Sequence, residues 1–268
     1  MAERAFNVRR QTGFTSIAVA CFVMLYMPII LLVVYSFNAG TSIAIWEGFS
    51  WRWYASAWEN EQVQEATVRS LIIAVWASLI STTCAVLAAL ATTRTRQFKG
   101  QTAVFAMINQ PLMVPEIVTA VALLIFFAMI KVATGYTGLL YLIVAHSAFC
   151  IPFAYLPIRA RLQGMDLSLE QAAADLYATP FQVFRRITLP QLWPGILAGA
   201  MLAFVISLDD VVITEFVKSA GQDTLPTYML GQLRRVVTPE INAISTVLLG
   251  ISITMVIAFT LLSKFRNQ

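Results

Sequence analysis

Glu170-Gln171-Ala172-Ala173-Ala174-Asp175-Leu176, with Ile187-Thr188-Leu189-Pro190 beginning eleven residues further on, lies between two hydrophobic spans. Ser168 followed by Gln171 matches a capping box, which starts a helix at that point. Leu169, Ala172, Ala173 and Leu176 then fall at i, i+3, i+4 and i+7 and make one small apolar face. Glu170, Gln171, Ala174 and Asp175 occupy the other sides. Thr179-Pro180 is a second start signal, a capping hydroxyl ahead of a proline at the first helical position. Phe181, Phe184 and Ile187 line the helix that follows, which Leu189-Pro190 is expected to stop. Two short helices joined at a corner, with no catalytic residue in them, fit two readings. They can insert into a groove on a partner protein, or lie on a bilayer as an amphipathic hairpin helped by Arg185 and Arg186.

The rest of the chain supplies the bilayer. Of its 268 residues 59% are hydrophobic and 12% charged, whereas a soluble domain carries about 25% charged residues. Six apolar stretches stand out, at 14–37, 67–91, 102–130, 139–158, 193–216 and 241–262. Each approaches or exceeds the ~20 residues that cross a ~30 Å hydrocarbon core as a helix, and none alternates as a membrane strand does. The expected fold is an all-α integral membrane protein with six transmembrane helices. It forms a single domain over 1–268, with 159–192 as a cytoplasmic segment between the fourth and fifth spans. The first apolar run follows Arg4, Arg9 and Arg10, but it is too long for a signal core and no small-residue cleavage site follows it, so it reads as a retained helix. Twelve of the 18 Lys and Arg residues, among them Arg94, Arg96, Arg159, Arg185 and Arg266, fall on the side of the termini, which places both termini in the cytoplasm. The net charge of +4 therefore reflects topology and is no argument for nucleic acid.

Individual residues add detail. Between 38 and 66 the aromatics Trp46, Trp51, Trp53, Tyr54 and Trp58 read as an interfacial belt or as a contact surface for an extracytoplasmic partner. Pro111 and Pro115 remove backbone donors from the third span and should kink or break it. Irregular backbone at that depth is tolerated where it is buried in protein or lines a cavity, and Glu116 follows at once. His146, the lone histidine, reads as a helix-to-helix hydrogen-bonding group. Gly195-Ile196-Leu197-Ala198-Gly199 allows close helix packing. Cys21, Cys84 and Cys150 lack metal spacing and read as buried, inert thiols.

Asp209 and Asp210 lie sixteen and seventeen residues beyond Trp193, about 24 Å along a helix axis. An ionised acid at such a depth costs at least ~2.5 kcal/mol, so it normally faces a cavity or a partner. Successive helix positions point about 100° apart, so at most one of the two faces a pathway while the other caps or anchors a neighbour. Glu116, Asp209 and Asp210 together make an anionic lining suited to an amine cation, with Tyr155 or Phe204 adding cation–π attraction. The competing reading pairs these acids with Arg or backbone amides between subunits. Glu215 reads as interfacial.

The corner resembles the EAA loop of ABC-importer permeases: Glu-Ala-Ala, three residues, Gly, nine residues, Ile, one residue, Leu-Pro. Gln171-Ala172-Ala173, Tyr177, Ile187 and Leu189-Pro190 keep that spacing without a gap, with Gln171 in place of the glutamate and Tyr177 in place of the glycine. Glutamine keeps the capping geometry; glycine would permit a tighter corner than tyrosine. Trp46-Glu47-Gly48-Phe49 with Trp53-Tyr54, Pro115-Glu116, Ser207-Leu208-Asp209-Asp210-Val211-Val212 and Pro239-Glu240-Ile241-Asn242-Ala243 resemble the second permease subunit of spermidine/putrescine importers. The resemblance implies a type I importer fold in a bacterial inner membrane. It implies docking of an ATPase on Glu170, Gln171, Ala172, Ala173, Asp175, Leu176, Tyr177, Ile187, Leu189 and Pro190. It also implies three partners besides membrane lipid: a second homologous permease, a homodimeric ATP-binding subunit that holds ATP and Mg²⁺, and an extracytoplasmic substrate-binding protein. No cofactor is implied for this chain.

The sequence has no G-x-x-x-x-G-K-[ST] phosphate loop, so ATP hydrolysis falls to another subunit. It has no G-x-S-x-G or H-E-x-x-H, which argues against an intramembrane hydrolase. An ion-coupled carrier or channel has use for the acids but not for the 168–190 pattern. Within the importer class, an amino-acid derivative or opine is the alternative cargo.

Overall fold

In hydrocarbon, backbone N–H and C=O groups find no water, and a helix satisfies them within one segment. The computed structural model describes residues 12–43, 45–95, 98–235 and 238–265. Arg4, Arg9, Arg10, Arg96 and Arg266, on which part of the charge argument rests, lie outside the described residues. In chain order the helices are α1 (Thr12–Tyr35), α2 (Arg52–Glu59), α3 (Glu61–Thr93), α4 (Gln101–Met113), α5 (Glu116–Thr134), α6 (Leu139–Gln163), α7 (Ser168–Asp175), α8 (Pro180–Val183), α9 (Leu189–Asp209), α10 (Val212–Val217), α11 (Leu225–Leu233) and α12 (Pro239–Phe265). Among the described residues six helical segments are long and apolar enough to cross a membrane: Gly13–Tyr35, Glu61–Thr93, Glu116–Thr134, Leu139–Gln163, Pro180–Asp209 and Pro239–Ala258.

One expected span is broken, as its prolines predict, and another departs from expectation. The third is broken: Val114 is extended (φ −99°, ψ 139°), as the residue before a proline tends to be, and α5 begins afresh at Glu116. Pro111, by contrast, is tolerated inside α4. The fifth does not begin after a stop at Leu189-Pro190. A five-residue π turn, Phe184–Thr188, joins α8 to α9, and the helix runs on through Pro190. A proline in the first turn of a new helical register forfeits little, because the wider π turn has already released the i→i−4 pairing there.

The chain forms two compact units, residues up to Asn60 with Gln232–Ile251, and Glu61–Gly231 with Ser252 onward. In the first unit Asn38 is fully buried and stitches the loop after α1. Its amide donates to the carbonyls of Ser42 (2.9 Å) and Ile45 (2.7 Å), and its oxygen accepts from Glu47 N–H (2.9 Å). Phe37 stacks on Phe49, meets Trp51 edge to face and lies tilted against Tyr54. Trp53 is buried with its indole N–H on the Gly40 carbonyl (3.1 Å), so it is a core residue, whereas Trp58 is 80% exposed.

In the second unit α3, α6 and α9 pack against one another. The two glycines of α9 meet α6: a Cβ at Gly199 would come within 2.7 Å of the Ala154 carbonyl oxygen, and one at Gly195 within 2.7 Å of Arg161 Cβ. This is the close approach that small residues permit. Cys150 is buried with its thiol facing the Ala203 carbonyl (3.4 Å). Cys21 and Cys84, expected to be buried, are exposed on faces the chain leaves uncovered. Apolar faces in a bilayer need no cover from their own chain, since lipid tails are as apolar as Leu.

Candidate functional site

The acids of the fifth span sit at a second helix break. Asp210 is extended (φ −65°, ψ 131°), which ends α9 at Asp209. Past this bend α10 restarts at Val212 under the Asp210 side chain. Asp210 Oδ1 accepts from Ile213 N–H (3.3 Å); Oδ2 accepts from Thr214 N–H and from the Thr214 hydroxyl (2.9 Å each). The carboxylate thereby satisfies first-turn donors that would otherwise be orphaned. Asp210 is buried and Asp209 is exposed, the divergence that ~100° per residue imposes.

His146, on α6, completes the cluster. Its Nδ1 lies 2.8 Å from Ser207 Oγ, its Nε2 2.9 Å from Thr214 Oγ1 and 3.4 Å from Asp210 Oδ2. Because the Thr214 hydroxyl donates to Asp210, it can only accept from the ring. This assigns the proton to Nε2 and leaves Nδ1 to accept from Ser207. The result is a buried relay from Ser207 through His146 and Thr214 to Asp210 in which each group has a partner. Glu116, the first residue of α5, is half-buried where α5 packs on α10, and its side chain lies against that of Asp210. The break in the third span and the break in the fifth are therefore joined through two carboxyl groups.

The aromatic candidates are interior. Tyr155 is fully buried with its hydroxyl on Thr92 Oγ1 (2.8 Å), and Phe204 is buried. The Arg159 guanidinium lies 4.4 Å from the Phe105 ring centroid and 6.0 Å from that of Tyr155. Glu215 binds Lys218 Nζ (2.6 Å), which also reaches Asp223 (2.7 Å). Burial lowers the pKa of that ammonium, but the two carboxylates outweigh it and the net shift is upward.

The corner begins differently from the expected capping box. Ser168 spends its hydroxyl donating to Asp166 Oδ2 (2.7 Å), and its N–H donates to Asp166 Oδ1 (2.9 Å), so Asp166 holds the start of α7. Those two bonds, the N–H first, keep the Asp166 carboxyl below the usual carboxylate range. Thr179 and Gln182 do form a capping box at α8. Between the helices the N–H of Ala178 reaches the Ala173 carbonyl (3.0 Å) and that of Tyr177 reaches Ala174 (2.9 Å), the paired bonds of a Schellman C-cap. Tyr177 takes φ 60°, the left-handed conformation, and among the described residues no other non-glycine has positive φ.

The corner has an inner and an outer side. Glu170 turns inward, 3.3 Å from Arg94 Nη2 and accepting from the Thr188 hydroxyl (3.0 Å). A cavity of about 430 Å³, lined in part by Leu90, Arg94, Gln171 and Phe184, lies beside it. Ala173, Ile187 and Leu189 are half-buried; Gln171, Ala172, Asp175 and Pro190 are exposed. Leu176 and Tyr177 are 81% and 95% exposed, with Leu169 and Phe181 also outward. Sequence reasoning missed Ser207, Thr214, Arg94, Thr188 and Asp166. Only the last left a local signal, an aspartate two residues before a serine.

Comparison with known proteins agrees with this architecture. The family model described as binding-protein-dependent transport system inner membrane component matches residues 81–267. Putrescine transport system permease protein PotI of Escherichia coli K12 is 38% identical over 251 residues, 92% of this chain and 89% of that protein. Spermidine/putrescine transport system permease protein PotC of the same strain is 37% identical over 249 residues, 93% of each chain. A subunit of a bacterial ABC transporter for import of the acidic polysaccharide alginate shares the fold at a TM-score of 0.74 and 17% identity, over 94% of this chain and 93% of that one. On these matches the chain belongs to the family of inner membrane components of binding-protein-dependent transport systems.

Proposed function

We propose that the chain is the second of two permease subunits in an ATP-driven importer and moves putrescine or spermidine inward by alternating access. The observation that carries this reading is the likeness to two polyamine permeases over more than nine-tenths of the chain. The acids support it, since Glu116 and Asp209 offer carboxyl groups at a helix break, where a desolvated ammonium needs them. Tyr155 and Phe204, the aromatic candidates, are buried, with Tyr155 turned to Thr92.

In this reading the chain is a single permease domain of the bacterial inner membrane with both termini in the cytoplasm, and 159–192 is its coupling segment. A homologous permease pairs with it, two ATP-binding subunits hold ATP and Mg²⁺, and an extracytoplasmic binding protein delivers the cargo. ATP binding closes the ATPase pair and carries the corner with it. Leu169, Leu176, Tyr177 and Phe181 enter the ATPase groove, as an amphipathic helix does, while Glu170 braces the corner from behind through Arg94 and Thr188. Hydrolysis and release return the inward-facing state.

The test is uptake of labelled putrescine and spermidine in cells with and without the gene, with unlabelled amino acids and opines as competitors. Loss of saturable polyamine uptake on deletion is expected. Unchanged polyamine uptake, with parallel carriers removed, or competition by an amino acid or opine, would move the assignment to another solute.

A further inference from the structure

The three acids of the helix breaks are not equivalent. Asp210 is buried with both oxygens engaged by Ile213 and Thr214. His146 stands behind it, held in turn by Ser207. Asp209 is exposed and pairs with no other described residue. Glu116 is half-buried and rests on Asp210. An ammonium ion reaching Asp210 would have to displace protein donors from a carboxylate that is already satisfied, and would leave helix N–H groups without acceptors. No such displacement is needed at Asp209, which is exposed, or at Glu116, whose carboxyl meets no protein donor among the described residues.

We infer that Asp210 and His146 are positioning residues that tie the α4–α5 break to the α9–α10 break and aim the Glu116 carboxyl, whereas Glu116 and Asp209 are the acids that meet a substrate ammonium group. This rests on the polyamine reading above. His146 is rigid because both ring nitrogens are fixed from different segments, Ser207 on α9 and Thr214 on α10. It therefore sets the distance between the two sides of the break and, through Asp210, the place of Glu116.

Residues that act through one another are non-additive, and residues that act independently are additive. The importer is reconstituted with its partner subunits, and half-saturation for putrescine and spermidine is measured for wild type and variants. Glu116→Gln is expected to raise half-saturation about 10-fold, the scale of one charge-assisted hydrogen bond. His146→Leu is expected to raise it severalfold, and the double variant Glu116→Gln/His146→Leu to stay within about twofold of Glu116→Gln alone. His146→Leu combined with Asp209→Asn should instead multiply. His146→Gln, whose amide both donates and accepts, should return half-saturation towards the wild-type value, which a role in mere bulk packing would not require.

Multiplying factors in the Glu116/His146 cycle would overturn the inference. So would an unchanged half-saturation in His146→Leu accompanied only by poorer recovery of the complex. If wild type saturates with neither amine, the polyamine reading fails. The same cycle read on the melting temperature of the purified complexes, which needs no substrate, then decides: non-additive shifts support the Asp210-mediated link and additive shifts refute it.

Discussion

Asp210 and Thr214 are bound twice over: the carboxylate oxygen Oδ2 receives both the N–H and the hydroxyl of Thr214, each at 2.9 Å. That hydroxyl is also where the His146 ring donates, so one threonine oxygen links α6 to the start of α10. Thr214→Val keeps the shape and removes the link. It should cost about 1–3 kcal/mol, because a buried imidazole N–H loses its acceptor, and Thr214→Ser should recover most of that loss. Thermal unfolding of the detergent-purified complex measures both; equal melting temperatures for wild type and Thr214→Val would contradict the network.

Tyr177 holds the corner in a conformation that favours glycine. Tyr177→Gly should stabilise the corner by about 1 kcal/mol, the cost of placing a Cβ in the left-handed region. Tyr177→Ala, which keeps the Cβ, should not. Amide hydrogen exchange across 168–190 reports the difference. Faster exchange in Tyr177→Gly than in Tyr177→Ala would refute the strain argument.

Leu176 is 81% exposed, so its replacement leaves the chain's own packing alone. Leu176→Asp should leave the protein level in the membrane unchanged and abolish the stimulation of ATP hydrolysis by loaded binding protein. A permease with that variant that still couples hydrolysis to uptake would remove the outer face of the corner from the docking surface.

Gly199 sits where an added methyl group meets the Ala154 carbonyl oxygen at 2.7 Å. Gly199→Ala must push α9 away from α6 and should cost about 1–3 kcal/mol. Gly250→Ala, inside α12 with nothing within 4 Å of the new carbon, should instead be neutral or stabilise by up to about 1 kcal/mol. Paired melting curves settle this, and a silent Gly199→Ala would contradict the close approach of α9 to α6.

The apolar runs and the prolines were legible because their effects are local. Twenty apolar residues span a bilayer whatever surrounds them, and Pro115 forces Val114 out of the helical region by contact with its neighbour alone. Leu189-Pro190 misled for the same reason. Proline signals a register change, but whether the chain stops or passes through a π turn depends on the packing of Phe184–Thr188. The acids Glu116, Asp209 and Asp210 could be named from the sequence, since carboxylates at that depth require a reason. Their division of labour could not, because Ser207 and Thr214 reach His146 from 61 and 68 residues away. Glu170 likewise looks like a surface residue of an amphipathic helix until Arg94, at the end of α3, is brought against it.

The most direct test of the account is accumulation of labelled putrescine in proteoliposomes holding the complete importer, with the loaded binding protein outside and ATP or ADP inside. ATP-driven import predicts saturable accumulation that requires both ATP and the binding protein and survives proton and sodium ionophores. Accumulation with ADP, or its collapse on adding ionophore, would mark an ion-coupled carrier and contradict it.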